Sequence, residues 1–170
     1  MIFRFVPIAV TASLVVAALA MPAHAHDDHA MTGSDPHRHG GTAHGATGTD
    51  GAPGNPFDAK RTVRIAVGHD SFSTKVIQVR AGETVRFVVT NDDYESHEFG
   101  IATPREHDEH RAMMKQMPNM RHEDPNVVTI DPGQTKELIW RFGQDTNVEF
   151  ACDIPGHAEH GMAGKFRVMQ

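Results

Sequence analysis

Along residues 58–170 the apolar positions recur in short alternating bursts separated by turn signals. Val63, Ile65 and Val67 share one side of a segment at 62–67, with Arg64 on the other. A second burst at 75–79 runs into the turn Ala81-Gly82-Glu83. Segment 84–90 is the strongest, with VRFVV at its centre, and Asn91-Asp92-Asp93 ends it. Segments 97–101 and 126–130 follow, then the turn Asp131-Pro132-Gly133. Segment 135–142 carries Trp140, and 148–152 and 165–169 close the set. A side-chain period of two, β-branched and aromatic residues, and Gly, Pro, Asn and Asp between the bursts are the marks of short strands. Eight of them predict an all-β fold, a Greek-key β-sandwich. Residues 106–120 break the pattern. Ala112, Met113, Met114, Lys115 and Gln116 favour helix and Pro118 stops it. This predicts one short helix in an inserted loop at 105–122.

The first 57 residues follow other rules. Arg4 precedes an apolar stretch from Ile8 to Ala20, broken only by Thr11 and Ser13, and Ala23-His24-Ala25 supplies a small-x-small cleavage pattern. Residues 1–25 thus read as a secretory signal cleaved after Ala25. The rival reading, a retained anchor, is weaker because the stretch falls short of the roughly 20 residues a span needs. The mature chain is then exported to the periplasm, soluble and free of the membrane. Residues 26–57 contain almost nothing aliphatic larger than Ala, so they bury too little to offset backbone entropy. They are expected to be disordered. Their five histidines, His26, His29, His37, His39 and His44, suit loose metal chelation, against the plainer reading of a solvated linker.

Composition narrows the chemistry. The chain holds 13 His and 9 Met against a single Cys. One cysteine excludes an intrachain disulfide framework and zinc sites built on several thiolates. A formal charge of −6, reaching −7 once Arg4 is removed with the signal, argues against nucleic-acid binding. It permits steering toward a basic redox partner.

The strongest motif is Cys152-x4-His157-x4-Met162, in which a thiolate at a strand end is followed by an imidazole and a thioether on one loop bent by Pro155-Gly156. His97, after the strong strand, offers a second imidazole. Two His and one Cys in a plane with a weak axial Met is the type 1 copper arrangement. Soft sulfur favours Cu(I), imidazole tolerates Cu(II), and a rigid cage between the two preferences lets an electron pass with little rearrangement. Singly, each residue has a bland reading: Cys152 a small core residue, His97 a structural imidazole, His157 and Met162 an ordinary loop pair. Together, behind an export signal, they favour copper. An exported free thiol would otherwise be open to oxidation.

Phe150-Ala151-Cys152, Pro155-Gly156-His157, Met162 and His97-Glu98-Phe99 resemble the type 1 site of cupredoxins, over about residues 60–170. The resemblance implies a Greek-key β-sandwich with His97, Cys152, His157 and Met162 as ligands. Glu106-His107-Asp108-Glu109-His110, Met113-Met114, Met117-Pro118-Asn119-Met120 and His122 further resemble the loop of CopI-type cupredoxins of bacterial copper tolerance. Those are exported and carry His-rich N-terminal segments, which plain electron carriers such as azurin or plastocyanin lack.

Within that loop two readings stand level. Met113, Met114, Met117 and Met120, with His107, His110 and His122, form a second copper site, since thioethers suit Cu(I); or the methionines pack over the sandwich as core. His160 is expected to face solvent and His69 to sit in a turn. The expected function is an exported type 1 copper protein contributing to copper tolerance by binding copper and handling Cu(I)/Cu(II) redox. The alternative is a soluble electron carrier of a respiratory chain with a redox partner protein. An oxidase or reductase ranks last, because turnover needs an open coordination position or another metal. A monomer is the default.

Overall fold

The computed structural model of the chain describes residues 50–117, 121 and 124–170. Ten strands and one helix follow one another: β1 (Gly51–Pro53), β2 (Arg61–Gly68), β3 (Ser71–Phe72), β4 (Val76–Arg80), β5 (Thr84–Asn91), β6 (His97–Ala102), α1 (Pro104–Gln116), β7 (Val127–Ile130), β8 (Thr135–Phe142), β9 (Glu149–Ala151) and β10 (Ala163–Met169). They form two five-stranded sheets in the orders β1-β8-β5-β2-β3 and β4-β10-β9-β6-β7. The chain passes repeatedly from one sheet to the other, and β2–β5 and β4–β10 pair in parallel while the remaining pairs are antiparallel. This is the expected β-sandwich, with one helix between β6 and β7.

The core lies between the inward faces. Val85, Phe87 and Val89 of β5 meet Leu138, Trp140 and Phe142 of β8 and Phe99, Phe150 and Phe166 from the facing sheet, all buried. Phe87, Phe99, Phe142, Phe150 and Phe166 stack edgewise or tilted at centroid distances of 4.7 to 6.2 Å. Each such pair adds about 0.5–1.5 kcal/mol beyond the area it buries. Strand β6 is buried along its whole length. Its inward side, Phe99 and Ile101, enters the core. Its other side is covered by α1, where a Cβ at Gly100 would be in van der Waals contact with the His107 ring, 3.5 Å from Cε1.

Helix α1 begins earlier than its propensity suggests. Thr103 caps it, the Glu106 carboxylate accepts the Thr103 N–H at 2.9 Å, and Pro104 sits in the first turn where no N–H is needed. The helix ends at Gln116, just before the expected stop at Pro118. Strand β1 corrects the boundary of the N-terminal segment. The stretch expected to be disordered through residue 57 is ordered from residue 50: Gly51 pairs with Phe142 and Pro53 with Trp140. Backbone pairing and the indole make this strand. A Cβ at Gly51 would lie 2.5 Å from Trp140 Nε1, so only glycine lets the chain approach so closely. Among the described residues no helix is long and apolar enough to cross a membrane. The signal segment 1–25 and the tail histidines His26, His29, His37, His39 and His44 lie outside the described residues.

Candidate metal centre

Strand β6 delivers His97 at its first residue, and β9 ends one residue before Cys152. Because β6 and β9 are hydrogen-bonded neighbours, the two side chains meet at one end of the sandwich. The Glu98 N–H donates to Cys152 Sγ at 3.3 Å. The 152–162 loop is closed by its own backbone: the Cys152 N–H donates to the Met162 carbonyl at 3.1 Å, the Met162 N–H to His157 at 3.0 Å, and the His157 N–H to Ile154 at 3.1 Å. Gly156 and Gly161 take left-handed φ of 96° and 98° to allow these turns. Nothing longer than this loop is needed to bring three of the four residues together.

The donor atoms converge. His97 Nδ1 lies 3.1 Å from His157 Nδ1, and Cys152 Sγ lies 3.4 Å from the same nitrogen. The two imidazoles and the thiol form a group whose ligand atoms are all within 4.8 Å of one another. His97, Cys152 and Met162 are fully buried, whereas the His157 side chain keeps 13% of its surface. Burial pushes the Cys152 thiol up to about 12, opposed by the N–H groups of Glu98 and Ile154. Burial, then the adjacent His97, holds His157 below its usual range. The thiol therefore keeps its proton at neutral pH until a metal displaces it. Two imidazole nitrogens and one thiolate sulfur are the donor set a copper of the type 1 class takes.

Around the donors stand residues that the sequence did not single out. Asn91 is fully buried and ties the approach to His97: its Nδ2 donates to Glu95 O at 2.7 Å and to Ile130 O at 2.9 Å, and its Oδ1 accepts from the Asp93 N–H. Asp153 is buried beside Cys152 and takes His107 Nδ1 at 2.7 Å and Arg111 at 2.8 Å. Glu98 is buried with its carboxyl pushed up to about 7, by burial first and by the Asp153 carboxylate second. The only local signal for Glu98 and Asp153 was their position next to a ligand, and Asn91 showed only as the end of the strong strand.

The loop residues divide. His107 turns inward and spends both nitrogens on the protein, Nδ1 on Asp153 and Nε2 toward Glu149 O at 3.5 Å. It docks the helix rather than offering itself as a second copper ligand. Met114 is the other buried residue of α1, Met113 is half-buried and Met117 is exposed. His110 is half-buried, with Nε2 3.9 Å from the Glu98 carboxylate. Met120 and His122 lie outside the described residues. His160 faces solvent as expected, its side chain 70% exposed. His69 occupies a turn with a left-handed φ of 50°.

A Greek-key sandwich that carries two imidazoles and a thiolate at one end defines a copper protein. The sequence profile of copper binding proteins of the plastocyanin/azurin family matches residues 59–169, and the chain belongs to that family. Within it the chain is similar to the copper-resistant cuproprotein CopI of Rubrivivax gelatinosus, at 42% identity over 74% of this chain and 77% of that one. It is likewise 43% identical to CopI of Vibrio cholerae, over 66% and 68% of the two chains. Among solved structures, auracyanin B superposes with a TM-score of 0.59 at 15% identity, covering 72% of this chain and 96% of its own. The reduced auracyanin of Roseiflexus castenholzii gives 0.56 at 19% identity, over 66% and 99%. At those identities the structures speak for the fold, which is the cupredoxin sandwich. The cofactor is copper in one type 1 centre, and the donor set fits it.

Proposed function

We propose that His97, Cys152, His157 and Met162 hold the type 1 copper, and that the protein binds copper in the periplasm and so contributes to copper tolerance. The observation that carries this reading is the convergence of two Nδ1 atoms and one Sγ, buried, at the end of the sandwich. Bound copper supplies one-electron chemistry between Cu(I) and Cu(II). The chain's own residues supply the rest: the β6–β9 pair and the closed loop hold the donors at fixed separations, so little rearrangement accompanies a change of oxidation state. The CopI relatives support the tolerance role by name. The secretory-signal pattern of residues 1–25 supports the periplasm. Extra copper is held by the tail histidines and by the half-buried Met113 and the exposed Met117.

The test is a visible absorption spectrum during Cu(II) titration of the mature protein, with metal counted at the endpoint. A thiolate-to-copper band that saturates at one copper, followed by further uptake without colour, fits the tolerance reading. No band at any ratio defeats the ligand assignment. One observation favours an electron carrier as the second reading: His157 alone among the four keeps an edge at the surface, where a redox partner would touch the centre. Saturation at one copper with nothing beyond would favour it.

A further inference from the structure

The side of His97 away from the donors faces a carboxylate. His97 is completely buried, and its Nε2 makes no well-formed hydrogen bond among the described residues. Asp93 Oδ2 stands 3.4 Å from it. That carboxylate is not a loose surface group. Its Oδ2 also accepts the His69 N–H at 2.7 Å, its Oδ1 accepts the Tyr94 N–H at 2.7 Å, and its own N–H is tied to Asn91 Oδ1 at 2.9 Å. The His69-Asp70 turn that reaches over it is left-handed at two successive non-glycine residues, φ 50° and 53°. A conformation of that kind persists only where its surroundings enforce it. It brings a second carboxylate, Asp70, into one group with Asp93 and His97, ligand atoms within 4.8 Å.

An imidazole that gives Nδ1 to a metal keeps its ring proton on Nε2. A metal at Asp70 and Asp93 would have to take that proton's place, so these acids are better suited to accept it than to ligate a second ion. Building on the ligand assignment above, we infer that Asp93 is a positioning residue for the copper centre: it accepts the Nε2–H of His97, holds the ring in the tautomer that turns Nδ1 to the copper, and strengthens that nitrogen as a donor. A carboxylate behind a ligating imidazole stabilises the higher oxidation state, and loss of such a partner typically weakens metal binding by about 10–100-fold. Glu95, 4.0 Å from His157 Nε2, is 56% exposed and screened by water. The two imidazoles are therefore supported unequally.

The copper-loaded full chain tests this. Asp93→Asn keeps an oxygen for the turn and removes the charge. It is expected to raise the midpoint potential and to lower Cu(II) affinity about tenfold in chelator competition, with the coloured band and the melting temperature retained. Asp93→Glu is expected to recover part of the shift. Asp92→Asn, the removal of an exposed neighbouring charge, is expected to change little. In the wild-type Cu(I) protein, the His97 Nε2–H is expected as a slowly exchanging downfield proton by NMR, a readout that needs no variant. The inference is overturned by an Asp93→Asn potential and affinity equal to wild type, by an equal shift from Asp92→Asn, or by a His97 ring proton that exchanges as fast as that of His157. The wild-type band reports the ligand assignment separately: with the band present, those outcomes remove only the role of Asp93, and with it absent both fall.

Discussion

The Nδ1 atoms of His97 and His157 lie 3.1 Å apart although 60 residues separate them in the chain. At that distance the two nitrogens cannot both carry hydrogen toward each other. They share one proton, or both turn lone pairs to one ion. The thiol of Cys152, 3.4 Å from His157 Nδ1, completes a cluster of three donor atoms. Neighbours fix this cluster: the β6–β9 pairing places His97 and Cys152, and the backbone bonds of the 152–162 loop place His157 and Met162.

Cys152→Ala should abolish the coloured centre, because no other described thiol is available to replace it. Stability should change by little more than a small buried side chain is worth, about 1–2 kcal/mol. Absorption spectra of the copper-treated variant and its thermal melt check both parts. Colour in this variant would sink the ligand assignment.

Copper uptake should depend on pH with a slope near one. The thiol, raised to about 12 by burial, is protonated across pH 7–9, and His157, lowered from its usual range, has already lost its proton there. Each copper bound therefore displaces one proton from sulfur, and apparent affinity should rise about tenfold per pH unit. Chelator competition at several pH values gives the slope. A flat profile would mean that the thiol is already ionised.

The Glu98 carboxyl should make the fold weaker as pH rises. Its value is raised from 4.5 to about 7, so between those values the folded state binds a proton that the unfolded state does not. Stability from this group is fully present below about 4.5 and is lost as pH climbs through about 7. Glu98→Gln, which keeps the shape and removes the charge, should stabilise the protein on the order of 1–3 kcal/mol at pH 8 and hardly at all at pH 4.5. Melting curves at both pH values measure it; an equal effect at the two would defeat the argument.

What was legible in the chain divides along physical lines. The strands of the core were readable because a period of two survives wherever one face is buried, as at Val63, Ile65 and Val67. Cys152, His157 and Met162 were readable because one loop holds them, and His97 because a strong strand precedes it. Strand β1 was not readable: Gly51-Ala52-Pro53 has no apolar pattern and is held by the edge of β8 and by the indole of Trp140. The start of α1 was written in Thr103 and Glu106, a capping box that propensity alone passes over. For the loop methionines, copper ligand and core packing stood level; adjacent helical residues point some 100° apart, and of Met113 and Met114 only Met114 is buried. Asp93, Glu98 and Asp153 were invisible as partners because their roles depend on residues brought near by the fold.

Removing Asp153 should loosen the helix before it harms the copper site. Its carboxylate is buried and holds both His107 and Arg111. Asp153→Ala leaves the buried His107 imidazole without its acceptor and takes from Arg111 one of its two carboxylates, the other being Asp108, a loss that for buried pairs is about 3–5 kcal/mol. The partly exposed Arg111 can be rehydrated, so the lower end is expected. Amide hydrogen exchange should show α1 opening while β5 and β8 stay protected. Uniform loss of protection would mean that Asp153 supports the whole sandwich instead.

Gly164→Ala should destabilise the sandwich from beneath the copper loop. Gly164 pairs with Phe150 across β10 and β9, and a Cβ there would sit 2.1 Å from Phe150 Cζ, with two more ring atoms within 2.8 Å. Phe150 is itself packed by Phe72, Phe99 and Phe166 at 5.1 to 5.6 Å, so the ring has little room to retreat. Overpacking of this kind costs about 1–3 kcal/mol. Phe150 is two residues from Cys152, so a displaced ring should also tilt the end of β9 and shift or broaden the thiolate-to-copper band. Pairing Gly164→Ala with Phe150→Leu gives the ring's space back and should restore part of both losses. If the single variant melts with wild type, the contact between Gly164 and Phe150 is not the constraint that the geometry describes.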